Sequence, residues 1–251
     1  MLKVEVDGAV LRVTLDRPEV RNALNDELIG ALTETFRSIS PHTRVVVLGG
    51  EGSAFCAGAD LGWMKLTTDY SAEENERDAV KVARLFQTLT ECPAVVICKI
   101  HGPAFGGGAG LVASSDIAIA SPEAKFAFSE VRIGLVPATI SPAVLSKIGA
   151  SHARALFTTG EAFSASRALS IGLVHEVVSA TELDGTIESK VTHVLNSAPG
   201  AVAIAKRIAS QPPMQLEEAA KLLARVRGSE EAREGFSAFL EKRPAAYVVK
   251  R

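Results

Sequence analysis

The chain has 251 residues, of which 47% are hydrophobic, enough to bury a sizeable core in one large domain or in one domain with an appendage. A formal net charge of -2 and an isoelectric point near 6.2 argue against a general nucleic-acid-binding surface, so we expect small molecules or copies of the chain as partners. The three cysteines lack C-x-x-C spacing, and no segment has the length of a membrane span or the pattern of a targeting peptide. We therefore expect a cytoplasmic protein with no metal site, no nucleic-acid partner and no membrane partner.

The first part of the chain predicts a hairpin, a helix and a strand. Polarity alternates over residues 2–15 on both sides of Asp7-Gly8, a dipeptide that favours tight turns. Asn25 suits the N-cap of a helix whose apolar side chains recur at helical spacing. The β-branched run 44–48 then predicts a buried strand.

The middle of the chain repeats the order of strand, turn and helix. Ser71 and Glu74 form a capping box that predicts a helix to about residue 90, whereas 63–70 predicts a connection without regular structure. The apolar run 94–100 predicts a buried strand that leads through glycines into a helix starting near Gly107. Short strands are predicted at 116–120 and 125–128.

From residue 141 onward the pattern is almost entirely helical. One extended segment is predicted at 174–178. Helices are predicted at 142–149, 151–158, 164–170, 180–196, 199–209, 214–227 and 229–242.

Two turns of small residues follow the buried strands. The first, G-S-A-F-C-A-G-A-D-L, occupies 52–61, and the second, H-G-P-A-F-G-G-G-A-G-L, occupies 101–111. Glycine lets a ligand approach the backbone closely, and a helix N-terminus presents unpaired N–H groups. The dinucleotide motif G-x-G-x-x-G is not matched, because Leu111 stands at its last glycine. The pattern indicates an oxyanion site or a tight turn that packs a helix onto a strand.

These turns and both ends of the chain resemble the crotonase superfamily, the enoyl-CoA hydratases and isomerases. The resemblance rests on A-F-C-A-G-A-D-L, G-P-A-F-G-G-G-A-G-L, L-D-R-P-E-V-R-N-A-L near the start and R-E-G-F-S-A-F-L-E-K-R near the end. It implies an α/β fold: a spiral of ββα units over 1–180 with the CoA and acyl site, followed by a helical region at 181–251 that builds trimers or hexamers. The segment F-S-E-V-R-I-G-L-V-P-A-T-I-S-P is similar to that of bacterial hydratases of branched, carboxylated enoyl-CoAs, the methylglutaconyl-CoA and isohexenylglutaconyl-CoA type.

The resemblance also assigns the groups that carry chemistry. Proton transfer at the α-carbon of a thioester passes through an enolate-like state, whose oxygen needs fixed hydrogen-bond donors. The resemblance gives this role to the backbone N–H groups of Ala59 and Gly107. Glu130 stands at the family's second catalytic glutamate, and its apolar sequence neighbours are expected to raise its pKa toward neutrality. The alternative for Glu130 is a surface residue paired with Arg132.

One position departs from the two-glutamate hydratases. Their other glutamate, which helps to activate water, corresponds to Gly110 here. Three functions therefore stay open. The first, favoured by the resemblance, is hydration of a branched or carboxylated enoyl-CoA by Glu130 alone. The second is isomerisation, with Glu130 as sole proton shuttle, and the third is a non-catalytic subunit that binds acyl-CoA.

The remaining assignments concern substrate contacts. The resemblance implies CoA contacts at Arg21, Ala57, Ala59, Asp60, Leu61, Phe239 and Lys242, and an acyl pocket at Met64, Leu66, Thr139 and Ile140. The alternatives are a solvated loop arginine, a core aromatic and a surface lysine for Arg21, Phe239 and Lys242. No cofactor is expected, since coenzyme A is part of the substrate. Cys56 is expected to be a small core residue and His101 to hold loop backbone.

Overall fold

A computed structural model describes residues 1–249 of the chain. The strands are β1 (Leu2–Asp7), β2 (Val10–Leu15), β3 (Val45–Gly50), β4 (Val95–Ile100), β5 (Ala104–Phe105), β6 (Ile117–Ala120), β7 (Lys125–Ala127), β8 (Ala162–Ser164) and β9 (Glu176–Val177). The helices are α1 (Asp26–Arg37), α2 (Leu61–Thr67), α3 (Ala72–Thr90), α4 (Gly107–Ser114), α5 (Ser141–Thr159), α6 (Ala165–Ser170), α7 (Leu183–Leu195), α8 (Pro199–Ala209), α9 (Leu216–Arg227) and α10 (Glu230–Leu240). Single 3-10 turns lie at Pro18–Val20 and Glu130–Ile133.

Two sheets form the centre of the molecule. The larger has the order β1-β2-β3-β4-β6-β9 and is parallel apart from the β1–β2 hairpin, and the smaller has the order β5-β7-β8. Strand β3 is apolar along its length, and β4 is apolar except for the half-buried Lys99, because both faces of the larger sheet are covered. One face packs against α1 and the turn containing Phe55, and the other packs against α7. The α/β architecture with a parallel sheet is therefore confirmed.

Several local predictions are confirmed. Asn25 caps α1, since its Oδ1 accepts from the N–H of Leu28 at 2.9 Å. Ser71 and Glu74 form the predicted reciprocal capping box at the start of α3. These signals depend on residues close together in sequence, which explains their success.

Other local predictions are wrong. Segment 63–70 contains most of α2, whose N-cap is Asp60. By contrast, the break predicted between helices 142–149 and 151–158 is confirmed, because α5 is interrupted at Gly149, whose φ of 70° is not helical. Strand β5 lies in a segment predicted as a turn, and β8 lies between two predicted helices and overlaps only the first residue of the second, because two or three residues show no readable alternation. The extended segment 174–178 forms a strand only at β9.

The C-terminal helices differ in their burial. Helix α7 belongs to the predicted C-terminal region, yet it packs its apolar face on the larger sheet. Helix α9 buries no residue completely and α10 buries only Ala238. Residues 250 and 251, the end of the predicted region 181–251, lie outside the described residues. Its boundary and its role in assembly stay predictions.

Residues 1–249 contain neither a candidate membrane span nor a candidate metal site. No described helix combines the length and apolar character needed to cross a bilayer. Within the same residues, no cluster of three or more His, Cys, Asp or Glu side chains could hold a metal ion.

Candidate active site

The two small-residue turns meet at the carboxyl ends of β3 and β4. The N–H of Leu24 donates to the carbonyl of Gly58 at 2.7 Å, and the N–H of Asp60 donates back to Leu24 at 2.8 Å. The N–H of Phe105 donates to the carbonyl of Cys56 at 3.0 Å and so ties the second turn to the first. Segments far apart in sequence thus form one continuous backbone surface.

Glycine is required where the turns approach each other. Gly106 has φ 48° and ψ -118°, a conformation that side chains disfavour. A Cβ atom at Gly108 would lie 2.2 Å from the carbonyl oxygen of Cys56. Any larger residue at Gly108 would therefore push the turns apart.

Two backbone N–H groups at this junction have no protein acceptor. The neighbouring N–H groups are engaged, that of Asp60 with Leu24 and that of Gly106 with the carbonyl of Ala127 at 2.8 Å. In residues 1–249 the N–H groups of Ala59 and Gly107 donate to no protein atom. Both residues line one cavity, and Gly107 begins α4, so the helix dipole adds positive potential there. Two free donors in one cavity suit an oxygen that gains negative charge.

Glu130 lines the same cavity from the 3-10 turn at Glu130–Ile133. Its Oε1 lies 3.4 Å from the point where a Cβ of Gly106 would stand, which places the carboxylate beside the start of α4. Burial raises the pKa of Glu130, against a smaller lowering by its own N–H. Within the described residues its Oε2 is buried without a hydrogen-bond partner, and no ion pair includes Glu130. The alternative of a surface pair with Arg132 is therefore wrong.

The space beside Gly110 is filled by apolar side chains. A Cβ atom there would lie 2.3 Å from Cγ2 of Ile140 and 2.8 Å from Cε1 of Phe86. The position that corresponds to the second glutamate therefore lacks both the carboxylate and the room for one. Sequence reasoning identified the missing group, but only the packing shows what replaced it.

The cavity has a volume of about 380 Å³ and a mostly apolar lining. Six parts of the chain form its walls: the Leu24 turn, α1, α2 with the turn before it, one face of α3, the start of α4 and segment 130–140. The lining residues are Leu24, Ile29, Ala59, Trp63, Met64, Thr67, Asn75, Asp78, Ala79, Val82, Phe86, Gly107, Glu130, Leu135, Val136, Ala138, Thr139 and Ile140.

Three of the four residues predicted for the acyl pocket lie in the lining of this cavity, and their role as an acyl pocket stays a prediction. Met64, Thr139 and Ile140 line the cavity, but Leu66 does not and is 66% exposed, so that assignment is wrong. The reason is helical geometry: Met64 and Thr67 are three residues apart on one face of α2, and Leu66 points elsewhere. The contribution of α3 was missed, although Val82 and Phe86 at i and i+4 were a usable signal.

The residues assigned to CoA lie at two places, beside the first turn and at the end of α10. Arg21 lies beside the first turn with φ 54°, and its carbonyl accepts from the N–H of Ala57 at 3.0 Å. Leu61 is 82% exposed at the start of α2. Phe239 is 81% exposed, which makes the core-aromatic alternative wrong, and Lys242 lies past the end of α10 with φ 52° rather than within the helix.

Asp60 has structural partners that the sequence did not show. Its Oδ1 accepts from the N–H of Gly62 at 2.8 Å and caps α2, while its Oδ2 pairs with Nη2 of Arg17 at 3.0 Å. Burial acts to raise the pKa of Asp60, but the helix N–H groups and Arg17 outweigh it, so the pKa is lowered. The carboxylate thereby fixes α2, which carries Trp63 and Met64 into the cavity.

Cys56 and His101 behave as predicted. Cys56 is fully buried and burial raises the pKa of its thiol to about 12, which leaves no reactive thiolate. Nε2 of His101 lies 3.0 Å from the carbonyl oxygen of Gly52, and the His101 carbonyl accepts from the hydroxyl of Ser121 at 3.0 Å. His101 thus connects loop backbones.

Comparison with known proteins agrees with this geometry. The profile of the family described as enoyl-CoA hydratase/isomerase matches residues 5–250. A carnitinyl-CoA dehydratase of Proteus mirabilis is 36% identical over 258 residues, covering 96% of each chain. The crystal structure of an enoyl-CoA hydratase from Shewanella pealeana superposes with a TM-score of 0.91 at 35% identity, covering 98% of this chain and 95% of that one. An enoyl-CoA hydratase structure from Mycobacterium smegmatis gives a TM-score of 0.91 at 34% identity, covering 99% of each chain.

Proposed function

Because the chain belongs to the enoyl-CoA hydratase/isomerase family, we propose that it adds water to the double bond of an enoyl-CoA thioester, or removes water from the 3-hydroxyacyl product. One observation carries the proposal: two unpaired backbone N–H groups and a carboxylate with one buried, unpaired oxygen line a single, mostly apolar cavity. One relative is named a dehydratase and another a hydratase. Addition and removal of water are the two directions of one hydro-lyase reaction, so both names support the proposal.

The proposed mechanism uses Glu130 as acid and base. The N–H groups of Ala59 and Gly107 bind the thioester oxygen and stabilise its negative charge in the transition state, where losing one donor typically costs about 2.7–4 kcal/mol. Glu130 takes a proton from water as the water oxygen bonds to C3, and the double-bond electrons move toward the thioester oxygen. The protonated Glu130 then returns a proton to C2 on the same face, which restores the carboxylate.

We propose further contacts on weaker grounds. CoA would lie along the first turn, at Arg21, Ala57, Ala59, Asp60 and Leu61, with Phe239 and Lys242 closing over it from the same or a neighbouring subunit. No cofactor beyond this coenzyme A is proposed. The sequence resemblance points to a branched or carboxylated acyl group such as that of 3-methylglutaconyl-CoA. Of these two features we propose the branched chain, because the walls of the cavity are mostly apolar.

An isomerase is the second candidate, and the filled space at Gly110 favours it. Isomerisation needs only one carboxylate to remove a proton and return it two carbons away, and an apolar wall beside Glu130 would keep water out. A non-catalytic acyl-CoA-binding subunit is the least favoured alternative, because a carboxylate whose pKa is raised by burial, at the edge of a ligand-sized cavity, is typical of a catalytic acid or base.

The deciding experiment is incubation with crotonyl-CoA, 3-methylglutaconyl-CoA and a 3-enoyl-CoA in heavy-oxygen water, with mass analysis of the products. Label in a 3-hydroxyacyl product supports hydration, whereas double-bond migration without label supports isomerisation.

We expect Glu130→Gln to lower kcat by roughly 10²–10⁴-fold while thioester binding persists. The control is Glu123→Gln, which removes an exposed carboxylate outside the cavity. Unchanged turnover in Glu130→Gln would refute the acid/base role.

A further inference from the structure

One face of α3 forms a wall of the cavity that changes from apolar to acidic along its length. Phe86, Val82 and Asp78 are spaced by four residues and all line the cavity. Phe86 is 3% exposed and packs beside Gly107 and Gly110, so it marks the reacting end. Asp78 lies eight residues earlier, about 12 Å along the helix axis, and marks the far end.

The negative charge of Asp78 has no direct partner in the described structure. The positive charge of Lys81 acts on Asp78, but its Nζ is already paired with Oδ1 of Asp26 at 2.6 Å. The pKa of Asp78 is raised, mainly by burial. The positive charge of Lys81 opposes this shift, and the negative charge of Asp26 adds to it. The described lining residues include two carboxylates, those of Asp78 and Glu130. They include no Lys, Arg or His.

The neutral polar groups of the lining add few free donors. The side-chain amide N–H groups of Asn75 are used by the carbonyls of Tyr70 and Ser71, each at 3.1 Å, and the hydroxyl of Thr67 donates to Met64 at 2.8 Å. The indole nitrogen of Trp63 is enclosed and has no partner in residues 1–249. A carboxylate entering the cavity would therefore meet two like charges and no cation.

We infer that Asp78 selects acyl chains by the charge at their far end. The cavity accepts an uncharged acyl chain and rejects one that ends in a carboxylate. This inference rests on the proposed function only in taking the ligand to be an acyl-CoA. It departs from the sequence resemblance, which includes carboxylated acyl groups, because the lining lacks the cation that such a group needs. Like charges several ångströms apart in a partly buried site give an affinity difference of roughly tenfold.

The test is a binding measurement with two saturated thioesters of equal length, octanoyl-CoA and its ω-carboxylated counterpart, octanedioyl-CoA. Isothermal titration gives the Kd ratio for wild type, Asp78→Asn, Asp78→Lys and Glu76→Gln. The last is the matched control, because it removes one negative charge from an exposed position of α3 outside the cavity lining. Hydration of oct-2-enoyl-CoA is assayed in parallel.

We expect wild type and Glu76→Gln to bind octanoyl-CoA at least tenfold more tightly than the dicarboxylate. Asp78→Asn should shrink this ratio at least threefold, and Asp78→Lys should abolish or invert it. Equal binding by wild type, or equal ratios in Asp78→Asn and Glu76→Gln, would overturn the inference. Selective binding without hydration would instead count against the proposed function alone, and no binding of either thioester would overturn both.

Discussion

At the scale of single residues, Glu130 links burial to pH dependence. Because burial raises its pKa above the ordinary value of 4.5, the ionised base is lost at a higher pH than for an exposed glutamate. We expect the acidic limb of the pH profile of kcat/KM to have its midpoint above 4.5. A midpoint at or below that value would contradict the geometry.

The same shift predicts how stability depends on pH. Between 4.5 and the raised pKa the folded chain binds more protons than the unfolded chain, so the contribution of Glu130 to stability falls as pH rises through this interval. Glu130→Gln removes this loss. Urea unfolding should therefore show the variant gaining stability relative to wild type on going from pH 4.5 to pH 8. A constant difference between the two over this range would contradict the prediction.

Gly110 gives a second prediction for a single residue. Gly110→Ala places a methyl group against Ile140 and Phe86, and overpacking of this kind costs about 1–3 kcal/mol of unfolding free energy. Adding Ile140→Ala removes the closer clash, so the double variant should be more stable than the sum of the single effects by about 0.5–3 kcal/mol. Denaturant titration measures each term. Gly185→Ala in α7 is the control, since no heavy atom lies within 4 Å of its added Cβ.

At the scale of elements, the position of α2 depends on one cap. Asp60→Ala removes the acceptor for the N–H groups of Gly62 and Trp63, which should cost about 0.5–2 kcal/mol and raise KM, because α2 carries cavity residues. Asp60→Asn keeps a capping oxygen and loses only the ion pair with Arg17, so its effect should be smaller. Asp69→Ala, in the exposed turn after α2, is the control. Equal losses in Asp60→Ala and Asp69→Ala would refute the role of the cap.

At the scale of the whole molecule, the C-terminal helices leave apolar side chains uncovered. In α9 and α10, Leu216, Phe239 and Leu240 are 86%, 81% and 79% exposed. Large apolar side chains exposed on successive helices are typical of an interface, and we propose that copies of the chain cover them in a trimer or hexamer.

This proposal is tested by light scattering after size-exclusion chromatography. We expect the wild type to be an oligomer and Leu240→Glu to shift to a smaller mass. Val6→Glu is the control, because Val6 is 75% exposed on the edge strand β1, far from the C-terminal helices in sequence. A monomeric wild type would contradict the proposal.

The sequence by itself determined the elements whose signals are local. Caps at Asn25 and Ser71 and the long apolar strands follow from residues a few positions apart, and the two glycine turns identified the family because their residue types are needed at fixed spacing. Short elements such as α2, β5 and β8 were missed, because so few residues give no clear period.

Only the tertiary structure decided what surrounds the reacting atoms. Phe86, Gly110 and Ile140 are far apart in sequence, and their contact shows that the place of the second glutamate is occupied rather than empty. The orientation of α2 separated Met64 from Leu66, and the face of α3 brought Asp78 into the same cavity as Glu130. These features depend on packing between distant segments, which a pattern of neighbouring residues does not contain.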